Sequence, residues 1–120
     1  GILAAVGIVS YSGYVKSAKI KSTQNVMLQL SLAQVEHYSS DNEYYGATGS
    51  TCSPDGTTSS ALETHLLGGA DSINADLGFE MCVVKSATDF TLMAVEVTKA
   101  QTKCTLTMSK STTLTKSANC

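Results

Sequence analysis

The sequence predicts an α+β fold, in which a long N-terminal helix packs on an antiparallel sheet of three to four strands. Two observations lead to this prediction. Apolar residues recur at helical spacing through the first third of the 120-residue chain, and the period changes to two from Phe79 onward. The length suits one domain, since typical domains have about 100–150 residues.

The helix is predicted over residues 10–40, a stretch in which only Gly13 disfavours helical structure. Residues 39–42 (SSDN) then supply a stop. A helix of about forty residues is about 60 Å long, more than a small domain covers, so we expect part of it to contact another molecule. Two apolar series at spacing i, i+4, i+7 form a wide stripe along it: Val26, Leu30 and Ala33, and Leu28, Leu32 and Val35.

Residues 1–9 (GILAAVGIV) are an unbroken run of apolar residues and glycine. The run is shorter than the ~20 residues that span a bilayer. It also lacks the basic leading region and the small-residue cleavage site of a secretory signal. We therefore expect that the chain begins partway through a longer hydrophobic segment.

The middle of the chain is predicted to be a loop followed by a short helix. Residues 46–60 are rich in turn-forming residues, including a Pro-Asp-Gly turn. Ser60 and Glu63 have the spacing of a capping box, which predicts a helix over residues 61–67 that a Gly-Gly pair ends.

The strands are predicted from alternation of apolar and polar residues, and short polar turns between them favour antiparallel pairing. The predicted strands cover residues 79–84, 90–97, 104–108 and, with weaker alternation, 112–116.

The composition excludes several classes of protein. Charged residues make up only 15% of the chain and hydrophobic residues 42%, which excludes a disordered, highly charged chain. Ser and Thr together supply 31 of the 120 residues. The chain has no Arg, a pI near 5.5 and a net charge of −2, which disfavours a dedicated phosphate-backbone binder. The charge is uneven, at +3 for residues 1–21, −8 for residues 22–84 and +3 for residues 85–120.

Four cysteines form an even set without a C-x-x-C pair, which disfavours a zinc site. In a chain rich in Ser and Thr, an even number favours two disulfides in an oxidising compartment over reduced thiols. Four cysteines allow three connectivities, and the sequence does not choose among them. They are Cys52, Cys82, Cys104 and Cys120.

No motif for catalysis is present. His37 and Asp41 lie one helical turn apart, which is more typical of a surface pair than of a catalytic dyad. His65 has no nucleophile motif around it, and the chain has no G-x-S-x-G, H-E-x-x-H or phosphate-binding glycine loop. We expect no enzymatic activity, no cofactor, no metal and no small-molecule substrate.

Three stretches of the chain resemble the type IV pilins. Residues 1–20 (GILAAVGIVSYSGYVKSAKI) are similar to the second half of their N-terminal polymerisation helix. Residues 35–48 (VEHYSSDNEYYGAT) resemble the Tyr-rich, acidic end of that helix, and residues 90–120 resemble the last strands. The resemblance covers residues 1–46 and 79–120, and the intervening residues have no match. One departure is Val9, which stands where the family commonly has a proline.

The resemblance implies the type IV pilin fold. Residues 1–40 would be the polymerisation helix, with its N-terminal half a truncated hydrophobic stalk, and residues 41–120 a globular head. The head would contain a variable loop at 46–78 and a C-terminal disulfide loop at 104–120. The resemblance also implies the disulfide pairs Cys104–Cys120 and Cys52–Cys82. The side chains that would pack the filament core are Ile2, Leu3, Val6, Ile8, Val9 and Val15.

The function that the resemblance implies is structural. The chain would polymerise into an extracellular pilus on the bacterial surface, for adhesion, motility or DNA uptake. Its partners would be further copies of itself, the pilus assembly machinery and, before assembly, the inner membrane. Lys16, Lys19 and Lys21 would lie just beyond the bilayer, where they contact lipid phosphates or a neighbour's acids, or form a solvated helix face.

Two alternatives stay open within this resemblance. One is a minor pilin that acts as a DNA receptor for natural transformation, with Lys103, Lys110 and Lys116 as candidate DNA-binding residues. The other is a pseudopilin of a type II secretion system, whose members usually lack the C-terminal cysteine pair.

Overall fold

The computed structural model describes residues 2–98 and 101–120, with side chains described from Lys16 onward. The fold is α+β, as predicted: one long helix, one short helix and a sheet. The sheet contains five strands in this part of the chain, one more than the upper prediction, in the order β1-β2-β3-β4-β5. The elements are α1 (Ile2–Asp41), β1 (Ala47–Thr48), α2 (Gly56–Leu66), β2 (Phe79–Lys85), β3 (Phe90–Glu96), β4 (Thr105–Ser109) and β5 (Leu114–Lys116).

Helix α1 ends where the sequence predicts. The last helical residue is Asp41, and Asn42 follows with a left-handed φ of 61°. The amide of Asn42 donates to the carbonyl of Tyr38 at 2.8 Å, which satisfies one carbonyl of the last turn. The helix has 40 residues, so its length of about 60 Å matches the longest dimension of the molecule, 60 Å.

Strands β2 to β5 form an antiparallel meander, and the predicted alternation decides which side chains face α1. Strands β2, β3 and β4 each turn one apolar row towards the helix, and the opposite row of β4 carries hydroxyl groups. Met27 and Leu30 of α1 pack into this face, and neither is exposed to solvent. The buried strand residues facing α1 are Phe79, Met81, Val83, Phe90, Leu92, Ala94, Leu106 and Met108.

Strand β1 corrects the prediction that the sheet is wholly antiparallel and that residues 46–60 are only loop. Ala47 pairs with Val84 in parallel, and Thr48 pairs with Lys85. Two residues are too few to have an alternation pattern, so the sequence could not predict this strand. Gly46 permits the close approach, because a Cβ there would lie 3.0 Å from the Val83 carbonyl oxygen.

Helix α2 begins five residues before its predicted start. Its N-cap is Asp55, whose side chain accepts from the amide of Thr58 at 2.8 Å, while the Thr58 hydroxyl accepts from the Asp55 amide at 2.9 Å. This is a capping box with Thr in place of Glu. Glu63 therefore does not cap the helix, and its carboxylate accepts from the amide of Ile73 instead. The predicted stop is correct, since Gly69 donates back to the Glu63 carbonyl at 2.8 Å.

The first turn of α2 covers an edge of the sheet. Thr58 donates its hydroxyl to the Met81 carbonyl at 2.8 Å, and the Met81 amide donates to the Ser59 hydroxyl at 3.0 Å. These are backbone groups of β2 that neither β1 nor β3 pairs. An uncovered strand edge invites pairing with other chains, so α2 protects this edge.

Candidate functional site

The two apolar series of α1 have opposite environments. In the first series Val26 and Leu30 lie in the core, with Leu30 wholly inaccessible, and Ala33 is half-buried. The second series stays on the surface: Leu28 is 36%, Leu32 70% and Val35 54% exposed. We call these three residues the α1 flank. The rest of the same chain leaves this apolar helix face uncovered. A helix face in contact with solvent is usually polar, so three exposed apolar residues in one series distinguish this surface.

The flank lies beside the last strands. Ser31 is buried on the adjoining side of α1, and its hydroxyl lies 3.5 Å from the sulfur of Met108 in β4. Met108 pairs in register with Leu114 of β5, the outermost strand. Ser31 therefore connects the side of α1 next to the flank with the last two strands of the sheet.

The six side chains expected in the filament core lie outside the residues whose side chains the structure describes. Their backbone belongs to α1, which starts at Ile2. Within the described part of the chain, no helix combines the length and the apolar character needed to cross a membrane.

The C-terminal loop is closed by a disulfide and docked on α1. Cys104 and Cys120 form a disulfide across 16 residues of sequence. The loop also continues the sheet ladder, because the Ser117 amide donates to the Thr105 carbonyl at 2.9 Å. Lys16 of α1 donates its ammonium to the Asn119 carbonyl at 2.8 Å. The segment of α1 around Lys16 is therefore connected to the C-terminal loop that follows β5.

The second disulfide, Cys52–Cys82, ties the loop before α2 to β2 across 30 residues of sequence. Cys82 is buried, and Cys52 is partly exposed. Both pairs are those that the resemblance implies. They cross-link a small head in which the loop between α1 and α2 has little regular structure of its own.

A buried glutamine holds the loop that leaves α1. Gln34 is fully buried, and its amide makes two hydrogen bonds with one residue. The side-chain nitrogen donates to the Tyr45 carbonyl at 2.6 Å, and the side-chain oxygen accepts from the Tyr45 amide at 2.8 Å. Sequence reasoning missed this clamp, since a glutamine in a helix has no pattern that marks it as buried.

His37 and Asp41 contribute to the contacts between the end of α1 and the loop that follows it. Nδ1 of His37 lies 2.8 Å from the Glu43 carbonyl oxygen, which only accepts, so this nitrogen donates. Nε2 lies 3.0 Å from the Asp41 carboxylate. Glu43 in turn pairs with Lys85 at 3.2 Å. These contacts connect the helix end to the following loop.

Tyr45 lies between two imidazole rings. His65 of α2 stacks on it with ring centroids 4.6 Å apart, and His37 meets it edge-on at 6.1 Å. The tyrosine thus joins α1 to α2 by ring contacts, a role that the sequence spacing of 20 and 8 residues does not predict.

The three candidate DNA-binding lysines are not brought together. Lys103 and Lys110 lie at opposite ends of β4, about 23 Å apart along the strand. Lys110 donates its ammonium to the Thr88 carbonyl at 2.9 Å. Lys116 pairs in register with Leu106, which places it at the Lys103 end of the sheet. A basic surface at the Lys103 end of the sheet would therefore contain Lys103 and Lys116 but not Lys110.

The three lysines of α1 have different surroundings. Lys16 contacts the C-terminal loop as described above. Lys19 extends over Gly78, where a Cβ would come within 3.3 Å of its Cδ, and Gly78 has a left-handed φ of 76°. Lys21 is exposed on the outer side of α1.

A surface cavity of about 280 Å³ near the start of β2 is lined by Asp55, Glu80, Glu96 and Lys103. One carboxylate oxygen of Glu80 is buried and has no hydrogen-bond partner among the described residues. Glu96 is engaged, since it accepts from the Cys104 amide at 3.3 Å. Within the residues that the structure describes, no group of three or more potential ligands could hold a metal ion.

Comparison with known proteins places the chain in no family: no family model, no curated protein and no solved structure matches it.

Proposed function

We propose that this chain is a structural subunit of a type IV pilus and polymerises through α1 into an extracellular filament. The observation that carries the proposal is the α1 flank. Leu28, Leu32 and Val35 form an exposed apolar series on a 40-residue helix whose opposite face is buried by its own head. Full burial of a Leu or Val side chain contributes about 1.5–3 kcal/mol, so repeated burial of this series would favour assembly.

The order of features along α1 supports the same proposal. The apolar run of residues 1–9 lies at one end of the helix, and the head packs on the other half. Before assembly, the stalk would anchor the subunit in the inner membrane. In the filament, Ile2, Leu3, Val6, Ile8, Val9 and Val15 would pack against the same helix of neighbouring copies.

The build of the head suits an extracellular filament. Two disulfides cross-link it, and disulfides persist in oxidising compartments. The outer surface of β4 carries Thr105, Thr107 and Ser109, which are uncharged and hydrogen-bonding. Repeated heterologous contacts between such heads do not close into a ring when each copy is displaced along the axis, and a helical filament results.

The test is assembly of the purified protein. Protein held in detergent is transferred to detergent-free buffer, and filaments are measured by sedimentation and negative-stain electron microscopy. We expect filaments from the unmodified chain and a large loss of them from Leu32→Ser. The matched control is Val97→Ser, because Val97 is 60% exposed but lies off α1. An unmodified chain that stays monomeric under these conditions contradicts the proposal.

A second candidate function is a DNA receptor on the pilus surface. The observation that favours it is the shared end of the sheet where Lys103 and Lys116 are both exposed. DNA binding with steep salt dependence, weakened by Lys103→Gln and Lys116→Gln together, would support it. Lys110→Gln is the control, since Lys110 lies at the far end of β4 and is bonded to Thr88. Absence of DNA binding at low salt would exclude this candidate.

A further inference from the structure

The outer edge of β2 is covered by one segment, residues 46–59, which we call the edge strap. At one end of the strap, β1 pairs with the last two residues of β2. At the other end, the Thr58 hydroxyl donates to the Met81 carbonyl at 2.8 Å, and the Ser59 hydroxyl accepts from the Met81 amide at 3.0 Å. Between these ends, the Cys52–Cys82 disulfide joins the middle of the strap to β2.

Apart from the disulfide, the edge strap has few contacts that hold it on the sheet. None of its residues carries a large apolar side chain, and only Ser59 is buried. The residues that border it are anchored, since Tyr45 is bonded to Gln34 and Leu62 is buried in the core. A segment with few buried apolar contacts opens at a lower free energy than the core around it. The disulfide is therefore the main restraint on the strap between two fixed ends.

A small thiol can reach this disulfide. A surface cavity of about 130 Å³ lies beside it, and its lining includes both cysteines, Tyr45, Ala61 and Leu62. Cys82 is only 2% exposed, whereas Cys52 is partly exposed. An incoming thiolate therefore meets the Cys52 side of the disulfide first.

We propose that the Cys52–Cys82 disulfide is a redox-sensitive latch, and that its reduction by a dithiol opens the edge strap while the rest of the sheet stays folded. One thiolate of the dithiol attacks Sγ of Cys52, the sulfur–sulfur bond breaks, and the Cys82 sulfur leaves as a thiolate that takes a proton. The second thiolate of the dithiol then displaces the Cys52 sulfur, which also takes a proton. The dithiol ends as a cyclic disulfide and the protein holds two thiols. This inference goes beyond the proposed function and does not depend on filament assembly.

Opening of the strap changes what the β2 edge presents to its surroundings. Both backbone groups of Met81 would lose the hydroxyl partners that Thr58 and Ser59 supply. Strand β2 is mostly apolar and contains neither proline nor glycine. An uncovered edge of this kind is a template for pairing with another strand. The latch therefore makes exposure of the β2 edge depend on the redox state of the surroundings.

The experiment measures amide hydrogen exchange in the full chain, held in detergent so that filament assembly does not contribute. The Met81 amide reports on the strap, because its partner is the Ser59 hydroxyl. The Leu92 amide reports on the sheet as a whole, since Leu92 lies in β3, which is paired on both sides. The ratio of the two exchange rates separates local opening from global unfolding.

Two double variants supply the matched comparison. Cys52→Ser with Cys82→Ser removes the latch, and Cys104→Ser with Cys120→Ser removes the other disulfide. The two disulfides span 30 and 16 residues, and closure entropy varies only with the logarithm of loop length, so both variants should lose similar global stability. We expect the first variant to raise the exchange rate of Met81 relative to Leu92 by about tenfold or more, and the second to leave the ratio unchanged.

Dithiothreitol is then added to the Cys104→Ser, Cys120→Ser variant, in which Cys52–Cys82 is the remaining disulfide. We expect the same rise in the Met81 to Leu92 ratio, and a return to the starting ratio on reoxidation. A ratio that does not change on reduction would overturn the latch. Equal acceleration of both amides would also overturn it, because the whole sheet would then unfold together. Neither result bears on whether the unmodified chain forms filaments, so the proposed function is judged separately.

Discussion

Replacing Gln34 tests how the head is held to α1. Gln34 is fully buried and makes both of its amide hydrogen bonds with the Tyr45 backbone, at 2.6 and 2.8 Å. Each bond contributes about 0.5–1.5 kcal/mol, and groups left unpaired at a partly buried site add about 1–3 kcal/mol. Gln34→Leu keeps most of the side-chain volume but removes both bonds, so we expect it to lower the free energy of unfolding by about 2–4 kcal/mol.

The assay is urea unfolding followed by circular dichroism, with both disulfides intact. In thermal unfolding, a loss of about 3 kcal/mol corresponds to a decrease in Tm of roughly 10 °C for a chain of this size. Gln34→Glu keeps an acceptor for the Tyr45 amide but not a donor for its carbonyl, so its stability should lie below that of the unmodified protein. If Gln34→Leu were as stable as the unmodified protein, the clamp would have no energetic role and the argument from its geometry would be wrong.

Three further perturbations probe other parts of the fold. Removing the C-terminal disulfide by Cys104→Ser with Cys120→Ser opens a loop of 16 residues, which should cost roughly 3 kcal/mol in the chain-entropy model and is measured by urea unfolding. Asp55→Ala removes the N-cap of α2 and should cost about 1 kcal/mol, with a decrease in helical circular dichroism; no change would contradict the observed start of α2. Met27→Ala creates a cavity in the core and should cost about 2–5 kcal/mol, whereas Leu32→Ala at an exposed site of the same helix should cost little; equal losses would contradict the assignment of the two faces.

The regular elements with strong periodicity are predictable from the sequence. The end of α1 and the apolar rows of β2 and β3 follow from local composition, because helix stops and strand alternation depend on neighbouring residues. The predicted start of α2 is wrong because local composition offers two possible caps. Ser60 and Glu63 have the usual capping-box residues, but Asp55 and Thr58 cap one another, and a hydroxyl at the N3 position is a weaker sequence pattern.

The candidate surface was only half predictable. The wide stripe on α1 indicated that both apolar series needed cover, and the length of the helix indicated that one chain could not supply it. Which series would stay exposed depends on how the helix is rotated over the sheet. That rotation is set by contacts distant in sequence, such as Ser31 with Met108 and Gln34 with Tyr45.

The sequence by itself determined the C-terminal end of α1, the two apolar series, the hydroxyl-rich strands and the even set of cysteines, because each of these follows from residue type and spacing. The tertiary structure decided the rest: the disulfide partners, the placement of Lys116 opposite Leu106, and the exposure of Leu28, Leu32 and Val35. These depend on the relative position of residues that are far apart in the chain. Periodicity specifies that a helix has an apolar side, but only packing against the sheet determines which part of that side remains available to another molecule.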